Sequence, residues 1–90
     1  MPMTKITTIV WGSADHQIET RLTAAREVKL TEMQADGKTN GRWEAVDAVT
    51  TNRYWRDLAA AEEFISFVTA QAEIYNCSIV STSITDAPTE

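Results

Sequence analysis

The chain has 90 residues, of which 43% are hydrophobic and 23% charged, and a formal net charge of −5; this is the composition of one ordinary globular domain, small enough to hide only about 60–65% of the surface its unfolded form exposes. The eight basic residues, Lys5, Arg21, Arg26, Lys29, Lys38, Arg42, Arg53 and Arg56, are scattered and form no stripe that could neutralise a run of phosphates, which argues against nucleic acid as a partner. No stretch approaches the roughly 20 apolar residues of a membrane span, and threonines break Met1 to Trp11 where a secretory signal would be apolar, so a soluble, acidic protein is expected, cytoplasmic or held in a particle such as a virion.

Thr4 to Trp11, TKITTIVW, is rich in β-branched residues and alternates Ile6, Thr8 and Val10 with Lys5, Thr7, Ile9 and Trp11, which predicts a strand. Gly12 and Ser13 end it. Ser13 or Asp15 can cap a following short helix whose inner face is spaced as Ile18, Leu22 and Ala25. Between Arg26 and Gln34 two readings compete. Val28 and Leu30 alternate with Lys29 and Thr31 as in a strand, whereas Glu, Lys, Leu, Met and Gln favour one long helix over 14–34. The strand is preferred because ADGKTNG follows, with Asp36-Gly37 and Asn40-Gly41 suited to a reversal between two strands. Arg42 to Trp55, with Trp43, Val46, Val49 and Tyr54, then reads as a long strand.

The next segment has the clearest helical pattern. Asp57 caps its start, and Leu58, Ala61, Ile65, Val68, Ala72 and Tyr75 step by three and four residues. Phe64 widens this stripe, and Phe67 and Ile74 fall to its side, so about half the circumference is apolar. One four-stranded sheet does not readily cover that arc, and Phe67 and Ile74 are the expected contacts with a second subunit or another protein. A final strand over Cys77 to Thr85 closes a single domain of residues 1–86, followed by a loose tail at 87–90.

The resulting order, strand, helix, strand, strand, helix, strand, is the split βαβ pattern of ferredoxin-like folds: an α+β architecture with both helices on one face of an antiparallel sheet. The alternative is a β-hairpin or sheet with one long N-terminal helix and one C-terminal helix.

The chemistry-bearing residues are sparse. Gly37-Lys38-Thr39 lacks the upstream glycine of a phosphate-binding loop and reads as a turn. The lone Cys77 rules out an internal disulfide and thiol-rich metal sites, and Asn76-Cys77-Ser78 fits a glycosylation acceptor by chance. His16, the single histidine, has only Asp15 and Glu19 near it in sequence, a poor ligand set for zinc and no partner for nucleophilic catalysis. Glu62 and Glu63 point about 100° apart on a helix and read as a solvated face. No cofactor and no metal is expected.

The densest cluster is Arg53-Tyr54-Trp55-Arg56. In an extended chain Arg53 and Trp55 share one face and Tyr54 and Arg56 the other. With His16 these four could line a cradle for an anion or an aromatic ligand; the preferred reading has Tyr54 and Trp55 capping the core, with the arginines lying over them or pairing with Asp57 and Glu62. The leading functional expectation is a small structural or protein-interaction module, a homodimer or higher oligomer or one subunit of a larger assembly. Behind it stand a small-molecule-binding protein or cofactor-free enzyme of the dimeric α+β barrel type, and a regulatory module holding an acidic peptide or metabolite at Arg53 and Arg56.

Overall fold

In the computed structural model, which describes residues 2–14 and 17–88, the β-branched N-terminal run forms β1 (Lys5–Trp11) at the middle of the sheet. It is followed by α1 (Thr20–Ala35), β2 (Trp43–Ala45), β3 (Thr50–Trp55), α2 (Leu58–Ile74) and β4 (Ile79–Asp86). The strand order is β2-β3-β1-β4 and every neighbouring pair is antiparallel. This is the expected ferredoxin-like βαββαβ arrangement.

Period-two alternation decides what each face of β1 does. Thr7, Ile9 and Trp11 are buried against the helices, whereas Ile6, Thr8 and Val10 are half-buried on the open face. Under the helices, Trp55 is fully enclosed, its ring 4.6 Å from that of Phe64, and its Nε1 donates to Thr7 Oγ1 at 2.8 Å. Ala60, Ala61, Phe64, Val68 and Ala72 form the buried stripe of α2. The helix starts where the sequence places it, with Asp57 Oδ1 accepting from the Ala60 amide at 2.9 Å. Leu58, assigned by its spacing to the inner stripe, is instead exposed in the first turn.

Residues 26–34 are a correction: they lie inside α1 and form no strand. Leu22, Arg26 and Met33 are its buried positions, four and seven residues apart, and Lys29 and Leu30 are half-buried between them. Helix propensity therefore wins over the alternation, and Val28, on which the alternation leaned, is 67% exposed. The expected capping residue changes too. Glu19 accepts from the Arg21 amide, Ser13 lies well before the helix, and Asp15 is outside the described residues.

Two further boundaries move for the same reason. ADGKTNG leads from α1 into β2 and does not join two strands. Gly37 and Gly41 take φ of +74° and +81°, and a Cβ on Gly41 would stand 2.9 Å from Gln34 Oε1. The segment from Arg42 to Trp55 is a hairpin of two strands, turned at 46–49, where Asp47 Oδ1 accepts from the Val49 amide at 2.9 Å and the Val46 amide donates to Thr50 O at 2.9 Å. At the far end, β4 begins two residues later than expected, and pairing runs one residue past it through the Ala87 amide to Thr4 O at 2.9 Å.

Candidate functional site

The structure divides the Arg53–Arg56 cluster among four environments. Trp55 belongs to the core. Tyr54 lies on the opposite face of β3, buried beneath the Arg42 guanidinium, whose Cζ is 4.3 Å from the ring centre. Its hydroxyl donates to Glu44 Oε1 at 3.1 Å, and that carboxylate, together with burial, holds the phenol above its ordinary pKa. Arg56 pairs with Asp57, Nε to Oδ2 at 3.0 Å. Arg53 faces a cleft that Tyr54, Trp55 and Arg56 do not line. His16 lies outside the described residues, so the cradle built from His16, Arg53, Tyr54, Trp55 and Arg56 is not brought together among those that are described.

What Arg53 faces is a cleft of about 520 Å³ between α1 and the β2–β3 hairpin. Its floor is one face of the hairpin ladder, where Trp43 pairs with Arg53 and Ala45 with Thr51. Its roof is one face of α1, with Thr23, Arg26, Leu30 and Gln34 stepping by three and four residues. Space remains because Ala45 and Thr51 are short and α1 packs chiefly on α2. Arg53 Cζ rests 5.7 Å from the Trp43 ring and 5.8 Å from the Phe64 ring. Arg26, only 6% exposed, enters from the helix side.

Sequence reasoning did not reach Arg26 or Trp43. A strand over 26–34 gives Arg26 no reason to share a cleft with Arg53. The available signal was the helical spacing of Thr23, Arg26, Leu30 and Gln34.

Beside the cleft, Glu63 of α2 receives Lys29 of α1 and Lys38 of the following loop, each at 2.9 Å. Lys29 first and Lys38 second hold the Glu63 carboxyl below its ordinary pKa. Lys38 belongs to the Gly37-Lys38-Thr39 sequence, whose other side chain is equally structural: Thr39 is buried and its Oγ1 donates to Tyr54 O at 2.6 Å.

The sheet offers a second kind of surface. β4 is a terminal strand, and most of its residues are exposed. A shallow trough bounded by Glu62, Ile65 and Ser66 of α2 and by Thr82, Ser83 and Ile84 runs along it. The apolar arc of α2 is partly met at home. Phe67 is half-buried against the core with Lys29 Nζ 5.4 Å from its ring centre, and Ile74 at the end of the helix is 67% exposed.

Among the described residues no group of three or more His, Cys, Asp and Glu could hold a metal ion, and no helix is long and apolar enough to cross a membrane. No protein-family model matches the chain, and no curated protein matches it.

Proposed function

We propose that this chain is a self-associating interaction module whose assembly surface is the outer edge of β4. The observation that carries the reading is the character of that edge. Ile79 to Thr85 contains no charge and no proline, and the one irregularity in its pairing falls at its start, opposite Val10 and Trp11. Proteins ordinarily guard such edges with lysine, proline, a central bulge or a covering segment, because unpaired backbone groups template pairing with another chain. The opposite edge follows that rule: β2 is three residues long, includes Glu44 and is directly preceded by Arg42.

The occupant is a second copy of the chain. Antiparallel pairing of β4 with its own copy about a two-fold axis near Thr82 or Ser83 sets uncharged residues against uncharged residues, and the trough beside α2 leaves room for the added strand. Face-to-face packing of two open sheet faces has less support. That face carries Thr8, Asn52, Glu44, Ser83 and Thr85, and drying so many polar groups costs free energy that an apolar sheet interface does not incur.

Light scattering coupled to size exclusion tests the reading. The wild-type chain is expected to be a dimer, and Ser81→Lys/Ser83→Lys a monomer with unchanged circular dichroism, since both serines are exposed in β4 and either axis sets lysines opposite each other. A wild-type chain that is monomeric at about 100 µM, where association is worth less than about 5.5 kcal/mol, would overturn it.

A further inference from the structure

Independently of assembly through β4, we propose that Asn40 is a site of spontaneous deamidation. The Thr39 hydroxyl holds the reaction in check while the chain is folded, and opening of the loop between α1 and β2 releases it.

Two adjacent residues supply the chemistry. The Gly41 backbone nitrogen, having lost its proton to solvent base, attacks Asn40 Cγ; the new N–C bond closes a cyclic imide, and the side-chain nitrogen takes up a proton from water and leaves as ammonia. Water then opens the imide at Cγ to give aspartate, or at the backbone carbonyl to give isoaspartate, in which the chain runs through the former side chain. Gly41 has no Cβ to hinder the attack. Of the chain's asparagines, Asn52 and Asn76 precede Arg53 and Cys77, and only Asn40 precedes a glycine. Asn40 and Gly41 are both exposed, so water reaches the pair.

The fold treats the two reacting groups differently. The electrophile is poised: Asn40 Oδ1 accepts from the Arg42 amide at 2.9 Å, which polarises the Cγ carbonyl and stabilises negative charge developing on its oxygen. The nucleophile is restrained: the Gly41 amide donates to Thr39 Oγ1 at 3.1 Å, a bond that favours the protonated nitrogen and fixes its peptide plane. Thr39 is buried, and its own hydroxyl hydrogen goes to Tyr54 O at 2.6 Å, which leaves the oxygen as acceptor for Gly41. The Gln34 side chain stands where a Cβ on Gly41 would sit and limits the turning of that residue.

The two products differ in how they suit the loop. Aspartate keeps the oxygen that accepts the Arg42 amide. Isoaspartate adds a methylene to the backbone between two points tied to Tyr54, because Thr39 Oγ1 donates to Tyr54 O and the Tyr54 amide donates to Arg42 O at 3.2 Å. The longer path breaks one of those bonds and loosens the entry to β2. Either product adds negative charge to a chain whose formal net charge is already −5.

Incubation at neutral pH followed by tryptic mass mapping tests this, since cleavage after Lys38 and Arg42 isolates residues 39–42 as one peptide. Amide-to-acid conversion is expected in that peptide ahead of those holding Asn52 and Asn76, and faster in urea-unfolded wild type than in folded wild type. Folded Thr39→Val, close to isosteric but lacking the oxygen, is expected to convert about 2- to 13-fold faster than wild type, the weight of one net hydrogen bond. Thr39→Ser, which keeps the oxygen, is expected to hold the wild-type rate. Circular dichroism confirms that each variant is folded. The isolated isoaspartyl chain is expected to melt below Asn40→Asp, and equal melting overturns its structural consequence. The proposal fails if residues 39–42 do not convert in urea, if folded and unfolded wild type convert at one rate, or if folded Thr39→Val is no faster than wild type. Should Thr39→Val not fold, hydrogen exchange at the wild-type Gly41 amide takes its place, and unprotected exchange there overturns the restraint.

Discussion

Removing the acceptor beneath Trp55 tests whether that indole is structural. Thr7→Val is nearly isosteric and leaves the Nε1 hydrogen, now 2.8 Å from Thr7 Oγ1, inside a core where Trp55 and Thr7 are both essentially inaccessible to water. An unsatisfied buried donor costs about 1–3 kcal/mol. In a domain of this size each kcal/mol lowers the melting temperature by about 4–8 °C, so the variant should melt about 4–24 °C below wild type. Thr7→Ser, which keeps the oxygen, should lose about 1 kcal/mol for the methyl alone. Urea unfolding of wild type, Thr7→Val, Trp55→Phe and the double variant closes the cycle. Trp55→Phe removes the donor, so the second substitution should cost less in its presence, leaving a coupling of about 0.5–3 kcal/mol. Strict additivity, or a Thr7→Val chain as stable as wild type, would refute the reasoning.

Acid should loosen the fastening between α1 and α2. Glu63 carries a folded-state pKa below its ordinary value of 4.5 because of Lys29 and Lys38, so its contribution is fully present above 4.5 and is lost as pH falls through the lower folded value; in that window the unfolded state binds more protons and stability rises with pH. Equilibrium unfolding between about pH 2 and 6 should show a shallower acid limb in Glu63→Gln, and added salt should narrow the difference, since the carboxylate is partly exposed. The two side chains expected at an interface should also part company: Ile74→Lys, at 67% exposure, should leave stability within about 0.5 kcal/mol, whereas Phe67→Ala, which withdraws a ring packed on the core, should cost more than about 1 kcal/mol by chemical denaturation.

The parts of this fold legible in the sequence are those whose buried positions carry no charge. β1 alternates without interruption, and α2 repeats alanine, phenylalanine and valine at helical spacing behind an aspartate cap. α1 is obscured in the sequence because one beat of its inner face is a charge. Leu22 and Met33 flank Arg26, so the apolar period falters just where the helix meets the cleft, and Val28 on the outside lends a false strand rhythm. The loss of the helix and the loss of the site therefore have one cause. The hairpin at 46–49 was hidden because Asp47 makes the turn with no glycine or proline to mark it. The four residues at Arg53 to Arg56 were separated correctly into two faces by alternation, but sequence order could not say that one face opens on a cavity and the other lies under Arg42.

The hydrogen bond from the Ala87 amide to Thr4 O sets the entry to β1 and the exit from β4 side by side. Anything fused ahead of Thr4 or behind Ala87 leaves the sheet through the same corner. The domain is thus suspended from a single point whichever direction its neighbours lie in, and a short bridge between those two positions would span the distance of one strand spacing, about 5 Å, without drawing on any other element.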